Sequence, residues 1–354
     1  MVAHKLFRRM ALTVAAGLTL GVLPVLAQAP APYEPTPALI EAAKKEGRAV
    51  WYTSTDVSVS ERMAKLFEAK YPGVKVQVER SGAERIYQRI NQEYGSNIKN
   101  ADVVETSDAV HFVVFKRKGW LAQVVPTDVA KLWPANAKDA DGHYAAYRAH
   151  LSVMGYNTKL MKPEDIPKSR AALLDPKWRN RLVKAHPGYS GTVLNDTFMI
   201  VNTPGLGWDY LQKLGQQRVM QVQSSTEPPK KLALGERLVQ VDGNEYNVFQ
   251  LKEKGDPVEV IYPEEGTTIA IGHSAVMKES ARPNAARLLY AFLFSQEAQQ
   301  AMSDSGGLRS FHPGVKENAA RTPLAKIKVL YPDALKLEGE VENIKKTYEK
   351  HFGT

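Results

Sequence analysis

Apolar positions along this chain change spacing repeatedly. In "ALIEAAKKEG" (38–47) they recur at helical intervals, in "AVWYT" (49–53) they run together, and in "SERMAKLFEAKYPG" (60–73) the helical interval returns. "VKVQVE" (74–79) alternates, "AERIYQRINQEYG" (83–95) is helical again, and "ADVVET" (101–106) leads into "AVHFVVFKRKGWL" (109–121). Strands separated by helices of this length predict βαβ units on a mostly parallel sheet.

A second set begins after "GYNTKL" (155–160). "RLVKAHP" (181–187) reads as a short strand before a long helical stretch, and the region 233–266 adds strand, helix and strand. Two extended segments, "RAHLSVMGYNT" (148–158) and "TTIAIGHSAVMK" (267–278), join the halves. After the second, "ARPNAARLLYAFLFSQEAQQAMSDSGG" (281–307) predicts one periodic helix with a glycine stop.

At 354 residues and 44% hydrophobic, the chain can bury a large core, and its size favours two domains over one. Residues 1–27 stand apart. Lys5, Arg8 and Arg9 precede the apolar run "MALTVAAGLTLGVLPVLA", which ends in small residues, the layout of a secretory signal peptide. The run is too short and too cleanly terminated for a membrane span. Cleavage is expected after Ala27 rather than Ala29, which would leave Pro30 first, so the mature chain begins at Gln28. Arg8-Arg9 alone does not choose between the Sec and Tat routes. The expected location is the periplasm.

Removing the leader takes away three bases and no acids, leaving 44 bases against 38 acids, a net charge of +6. The charges are scattered, with no basic stripe interleaved with aromatics, so nucleic acid is not an expected partner. Without cysteine there is no lipid attachment, no disulfide and no thiolate metal site.

Catalytic motifs are not met. "GYSGT" places Gly188, Tyr189, Ser190, Gly191 and Thr192 in a row, whereas a nucleophile elbow needs G-x-S-x-G, and here the last glycine has slipped by one. The histidines show no HExxH or His-x₃-His spacing, and no P-loop or dinucleotide fingerprint occurs. A non-enzymatic binding protein without a cofactor is the expectation.

The order of parts resembles the periplasmic solute-binding proteins of ABC importers, in particular the ferric-iron-binding-like branch. The matching pieces are "VWYTSTD", "YPGVKVQVERSGAERI", "NADVVETSDA", "KGWLAQVVP", "DGHYAAYRAHLSVMGYNT" and "YPEEGTTIAIGHSAVMKESARPNAARLLYAFLFSQEAQQAMSDSGG", which together span nearly all of the mature chain. The resemblance implies a type II periplasmic-binding-protein fold of the α/β class. Its two lobes, each a sheet flanked by helices, are joined by two crossover strands, and one ligand sits in the cleft between them. It divides the chain into lobe one, 28–149 with 272–354, and lobe two, 150–271.

In such sheets ligands lie beyond the carboxyl ends of strands, where the next helix offers free N–H groups. Thr53, Ser54 and Thr55 lie at one such end, as helix caps, ligand donors or both. "ERSGAER" places Arg80, Ser81 and Gly82 at a second, "ETSDA" places Thr106, Ser107 and Asp108 at a third, and Tyr189, Ser190, Gly191 and Thr192 form a fourth in the other lobe. Asn244 and Tyr246 are further candidates there. Arg148, on the first crossover, is expected at the cleft floor, where its guanidinium can clamp a carboxylate or phosphate; Arg80 and Arg85 are weaker candidates.

Ferric sites of this branch commonly use two adjacent tyrosines in the second lobe. Here "VDGNEYNVFQ" keeps Tyr246 beside Glu245 and Asn247, so the pair is missing, and Tyr189, with Tyr144 and Tyr147, is left as the compensating set. The expectation is therefore a monomeric, small-molecule-binding component that captures an organic anion such as a carboxylate, phosphorylated metabolite or phosphonate for an inner-membrane permease. Ferric-ion transport through Tyr189 and Tyr246, and presentation of the ligand to a sensor kinase, are the alternatives.

Overall fold

Each apolar run bounded by small or polar residues becomes a strand. In the computed structural model, which describes residues 29–353, they are β1 Arg48–Thr53, β2 Lys75–Arg80, β3 Val103–Thr106, β4 Ala145–Ser152, β5 Met154–Asn157, β6 Leu182–Ala185, β7 Met220–Val222, β8 Val239–Gln240, β9 Val258–Ile261, β10 Thr267–Val276 and β11 Val329–Leu330. The expected leader 1–27 and its cleavage point lie outside the described residues.

Two mixed sheets result. One runs β11-β10-β3-β1-β2, with β4 also paired to β10, and the other runs β7-β6-β8-β5-β9. β1 lies parallel between β2 and β3, so the ends of all three point the same way. β10 returns antiparallel against both β3 and β4. The chain leaves the first sheet at Ser152 and enters the second at Met154, and it comes back between β9 and β10. The first crossing falls inside the extended segment 148–158, and the return, at 262–266, comes just before the segment 267–278, which is β10 of the first sheet.

Helices cover the sheets because their apolar faces have nowhere else to go. Around the first sheet, Trp51, Phe67, Tyr147, Leu288 and Phe292 share one buried cluster, and around the second Trp178, Leu182, Leu211 and Val239 share another. The periodic tail is two helices, Pro283–Leu293 and Gln296–Gly306, where one was expected. Ser295 makes the break: its backbone is extended and its hydroxyl accepts the Ala298 N–H, so it caps a new helix inside a continuous apolar pattern.

The last helix, Ala334–Phe352, touches both halves. Glu338 takes both Arg117 Nη atoms at 2.7 and 2.9 Å, and Lys345 reaches Glu84 at 2.8 Å, both on first-sheet helices. Further along, the Tyr348 hydroxyl lies 2.9 Å from Lys184 Nζ and donates to Gln221 at 2.6 Å, on the second sheet.

β4 and β10 meet with a register shift between Gly272 and His273. Gly272 stands opposite Arg148, and a Cβ there would lie 2.7 Å from Glu105 Oε1 and 3.0 Å from Arg148 Cγ. Gly272→Val should therefore cost about 1–3 kcal/mol by overpacking, seen as a lower urea midpoint with an unchanged slope; an unaltered midpoint would show that the strand pair can yield.

Candidate functional site

The end of β1 turns its polar residues inward to a carboxylate. Parallel pairing sets Thr53 beside Glu105 of β3, and the Glu105 side chain has no exposed surface. Its Oε2 accepts hydrogen bonds from Thr53 Oγ1 (2.7 Å), Ser54 N (3.0 Å), Thr55 N (3.2 Å) and Thr55 Oγ1 (3.1 Å). The cap of helix Val57–Lys70 is Asp56, which takes the Ser58 N–H at 3.0 Å. Thr53 and Thr55 thus neither cap the helix nor face the cleft; they solvate a buried anion belonging to the protein.

Arg148 completes this arrangement. Its Nη2 lies 2.8 Å from Glu105 Oε1 and donates to Ser54 Oγ at 3.2 Å, while Nε donates to Thr55 Oγ1 at 2.7 Å. Nη1 donates to His150 Nδ1 at 2.8 Å. Arginine cannot accept, so His150 carries its proton on Nε2 and donates to Thr192 Oγ1 at 3.0 Å. Burial and the neighbouring Arg148 charge hold His150 well below the usual histidine range, so it is neutral. The carboxylate that Arg148 clamps is the chain's own.

Above this floor the halves meet around a cavity of about 10 Å³, room for roughly one water. Of the residues singled out in the sequence, Ser54, Gly82, Ser107, Arg148, Ser190, Thr192 and Asn244 line it. Arg80, which the sequence ranked lower, lines it too, as do Ala83, His150, Ser224 and Ser225. Sequence signals existed for these. "SSTEPP" repeats after β7 the hydroxyl cluster that "TSTD" makes after β1, and His150 follows Arg148 by two on one strand, hence on the same face.

Ser81, Thr106, Tyr189, Gly191 and Tyr246 lie outside the lining. Ser81 gives its N–H to the Thr53 carbonyl, and Thr106 Oγ1 bonds His111 Nδ1 at 3.0 Å. A Cβ on Gly191 would lie 2.9 Å from Asp108 Cβ, and one on Gly82 would meet the Tyr189 carbonyl, so both glycines let the halves touch. Tyr189 is 39% exposed, with Arg85 over its ring at 4.9 Å. Tyr246 is buried, its oxygen accepting from Asn244 Nδ2 at 3.3 Å. Burial pushes this phenol up to about 12, against a smaller opposing pull from Arg148, away from the phenolate a ferric ion needs. Burial likewise raises Tyr144 and Tyr147, and none of these four tyrosines lines the cavity.

Among the described residues two trios of side chains could face one cation, Glu84 with Asp108 and His111, and Asp139 with Asp141 and His143. In each a lysine already supplies positive charge: Lys345 lies 2.8 Å from Glu84, and Lys116 lies 2.6 Å from both Asp139 and Asp141.

Arg80 differs from Arg148 in having no carboxylate within ion-pair distance among the described residues. Its Nη2 donates to Ser224 Oγ at 2.9 Å, across the cleft, and its Nε to the Thr55 carbonyl at 3.4 Å. The cavity therefore holds one compensated guanidinium, one uncompensated guanidinium, a neutral imidazole and a ring of hydroxyls.

A family model described as bacterial extracellular solute-binding protein matches residues 99–331. The periplasmic binding protein AfuA from Actinobacillus pleuropneumoniae, solved with exogenous fructose-6-phosphate bound, superposes with a TM-score of 0.78 at 24% identity, covering 87% of this chain and 99% of that one. Iron-bound HitA from Pseudomonas aeruginosa superposes with a TM-score of 0.73 at 23% identity, covering 85% and 99%. Iron uptake protein A2 of Synechocystis is 24% identical over 250 residues, 66% of this chain and 71% of that protein. At these identities the solved structures establish the fold, a type II periplasmic binding protein.

Two outcomes follow for stability. Glu105→Gln leaves Arg148 buried without its counter-charge and should cost about 3–5 kcal/mol in urea unfolding, much of it recovered in the Glu105→Gln, Arg148→Met double variant; an additive double variant would deny the coupling. Glu84 titrates visibly. Burial pushes its carboxyl up, but His111 and Lys345 outweigh burial and hold it at about 2. With the folded value below the ordinary 4.5, its stabilisation is complete above 4.5 and is lost as pH falls through about 2. Lys345→Met should flatten the fall of the urea midpoint across that window; an identical fall in both proteins would remove Lys345 from the account.

Proposed function

The chain belongs to the bacterial extracellular solute-binding proteins, the substrate-binding components of ABC transporters, and from that premise we propose that its solute is a small organic anion held between the two sheets by Arg80. The observation that carries the reading is the uncompensated Arg80 guanidinium in a cavity otherwise lined by hydroxyls, an amide and a neutral histidine. Arg148 keeps its place on the floor, but Glu105 balances its charge, so the weight of anion recognition passes to Arg80. The N-termini of helices Ala83–Gly95, Ala109–Arg117 and Gly191–Val201 start beside lining residues and add partial positive charge.

The fructose-6-phosphate held by AfuA supports a phosphorylated ligand as the leading class. HitA and iron uptake protein A2 keep iron in view, but Tyr144, Tyr147, Tyr189 and Tyr246 all sit outside the cavity lining, and burial raises the phenols of Tyr144, Tyr147 and Tyr246. Lobe one is taken as 28–149 with 272–354 and lobe two as 150–271. The protein works as a periplasmic monomer that closes on its ligand, since groups from both lobes bond it together only in the closed form. Delivery goes to a permease; a sensor kinase as receiver uses the same fold.

The test is calorimetry on refolded, ligand-stripped protein against sugar phosphates, phosphonates, carboxylates and ferric citrate. For the best anion, Arg80→Met should cost about 2–5 kcal/mol, because the ligand's charge is left desolvated without a partner, and Tyr246→Phe about 0.5–1.5 kcal/mol or less. Tight ferric binding that Tyr246→Phe or Tyr189→Phe abolishes, with Arg80→Met harmless, would replace the anion by iron.

A further inference from the structure

Resting on the anion reading, we infer that the cleft selects anions bearing hydroxyl groups and rejects those bearing an ammonium group. No aspartate or glutamate lines the cavity. Asp108, beside Ser107, is outside the lining: its Oδ1 accepts from Val110 N at 3.0 Å and its buried Oδ2 lies 3.9 Å from His111 Nε2. Four other nearby carboxylates are committed elsewhere. Glu105 is sealed beneath the floor by its four donors and Arg148. Asp56 accepts from Ser58 N and Oγ at 3.0 and 2.7 Å. Glu227 stands behind Ser224, accepting its N–H at 3.0 Å, and Glu245 holds Arg309 at 2.9 Å and the Tyr262 hydroxyl at 2.6 Å. An ammonium brought into this space would lose water beside two guanidinium groups and meet no counter-charge.

Asn244 offers an acceptor. Among the described residues its Oδ1 is buried with no partner at hydrogen-bond distance, although the His150 side chain lies near enough to interact with this amide, and Asn244 lines the cavity. The direction of this amide is set by a chain of bonds: Asn247 Nδ2 donates to Gln250 Oε1 at 3.0 Å, which leaves Asn247 Oδ1 to accept from Asn244 Nδ2 at 3.0 Å. Asn244 therefore brings a neutral acceptor oxygen to the cavity lining, suited to a hydroxyl hydrogen. A sugar phosphate, a polyol phosphate or a hydroxy acid offers that hydrogen together with the anion for Arg80. A phosphoamine, an aminoalkyl phosphonate or an amino acid offers a cation instead.

Calorimetry on the mature chain with matched probes separates these classes: glycerol phosphate, propyl phosphate and phosphoethanolamine, and the carboxylate trio hydroxypropanoate, butanoate and β-alanine. Within the trio that binds, the hydroxylated probe should exceed the plain one by about 5–10-fold and the ammonium probe by about 100-fold or more. Asn244→Asp places a carboxylate at that acceptor and should shift the ratio toward the ammonium probe. Equal affinity for the hydroxylated and ammonium probes overturns the inference and leaves the anion reading standing. Failure of every probe in both trios, alongside tight ferric binding, overturns the anion reading itself.

Discussion

A carboxylate with no exposed surface lies under the cleft, and the groups around it owe their positions to its charge. Glu105 sits at the end of β3 where parallel pairing with β1 brings two backbone N–H groups and the hydroxyls of Thr53 and Thr55 within reach. Those donors make an anion hole of the kind a helix start usually offers a ligand. Here the protein fills it. Arg148 then balances the charge, and through Arg148 the tautomer of His150 and the contact to Thr192 on the other half are set. A chain of polar contacts so runs from β3 across the cavity floor into the second half.

The seam between the halves depends on small residues and on the tail. Gly82 and Gly191 let backbone from one half approach the other with no side chain between them. Lys345 and Glu338 tie the final helix to first-sheet helices, while Tyr348 ties it to β6 and β7 of the second sheet. Any relative movement of the halves must stretch or release one of these attachments. The β4–β10 pair, long and extensively paired, is the stiff element that joins the halves.

Charge recognition in the cleft is a matter of what remains uncompensated. Arg148 is the more buried guanidinium, yet its field is largely cancelled by Glu105 at 2.8 Å. Arg80 bonds only neutral oxygens, Ser224 Oγ and the Thr55 carbonyl, so its charge is available to a ligand. Its bond to Ser224 also reaches the opposite half, which places the uncompensated charge where both halves converge.

Local pattern alone determined much of this molecule. Apolar runs and helical periodicity, decided by neighbours in sequence, placed many of the strands, the first crossing and the helix starts after hydroxyl clusters, and Ser54, Ser107, Ser190 and Thr192 were legible because a strand end followed by a helix is a local motif. The break at Ser295 was hidden because apolar spacing continued through it. The partner of each polar group was not legible at all. "TSTD" reads the same whether its hydroxyls meet a solute or Glu105, fifty residues away, and Arg148 reads the same whether its counter-charge is a ligand or a neighbour on β3. Only the register of β1 against β3, and of β4 against β10, decided that, because the net charge of a site is the sum over groups that the fold brings together from distant parts of the chain.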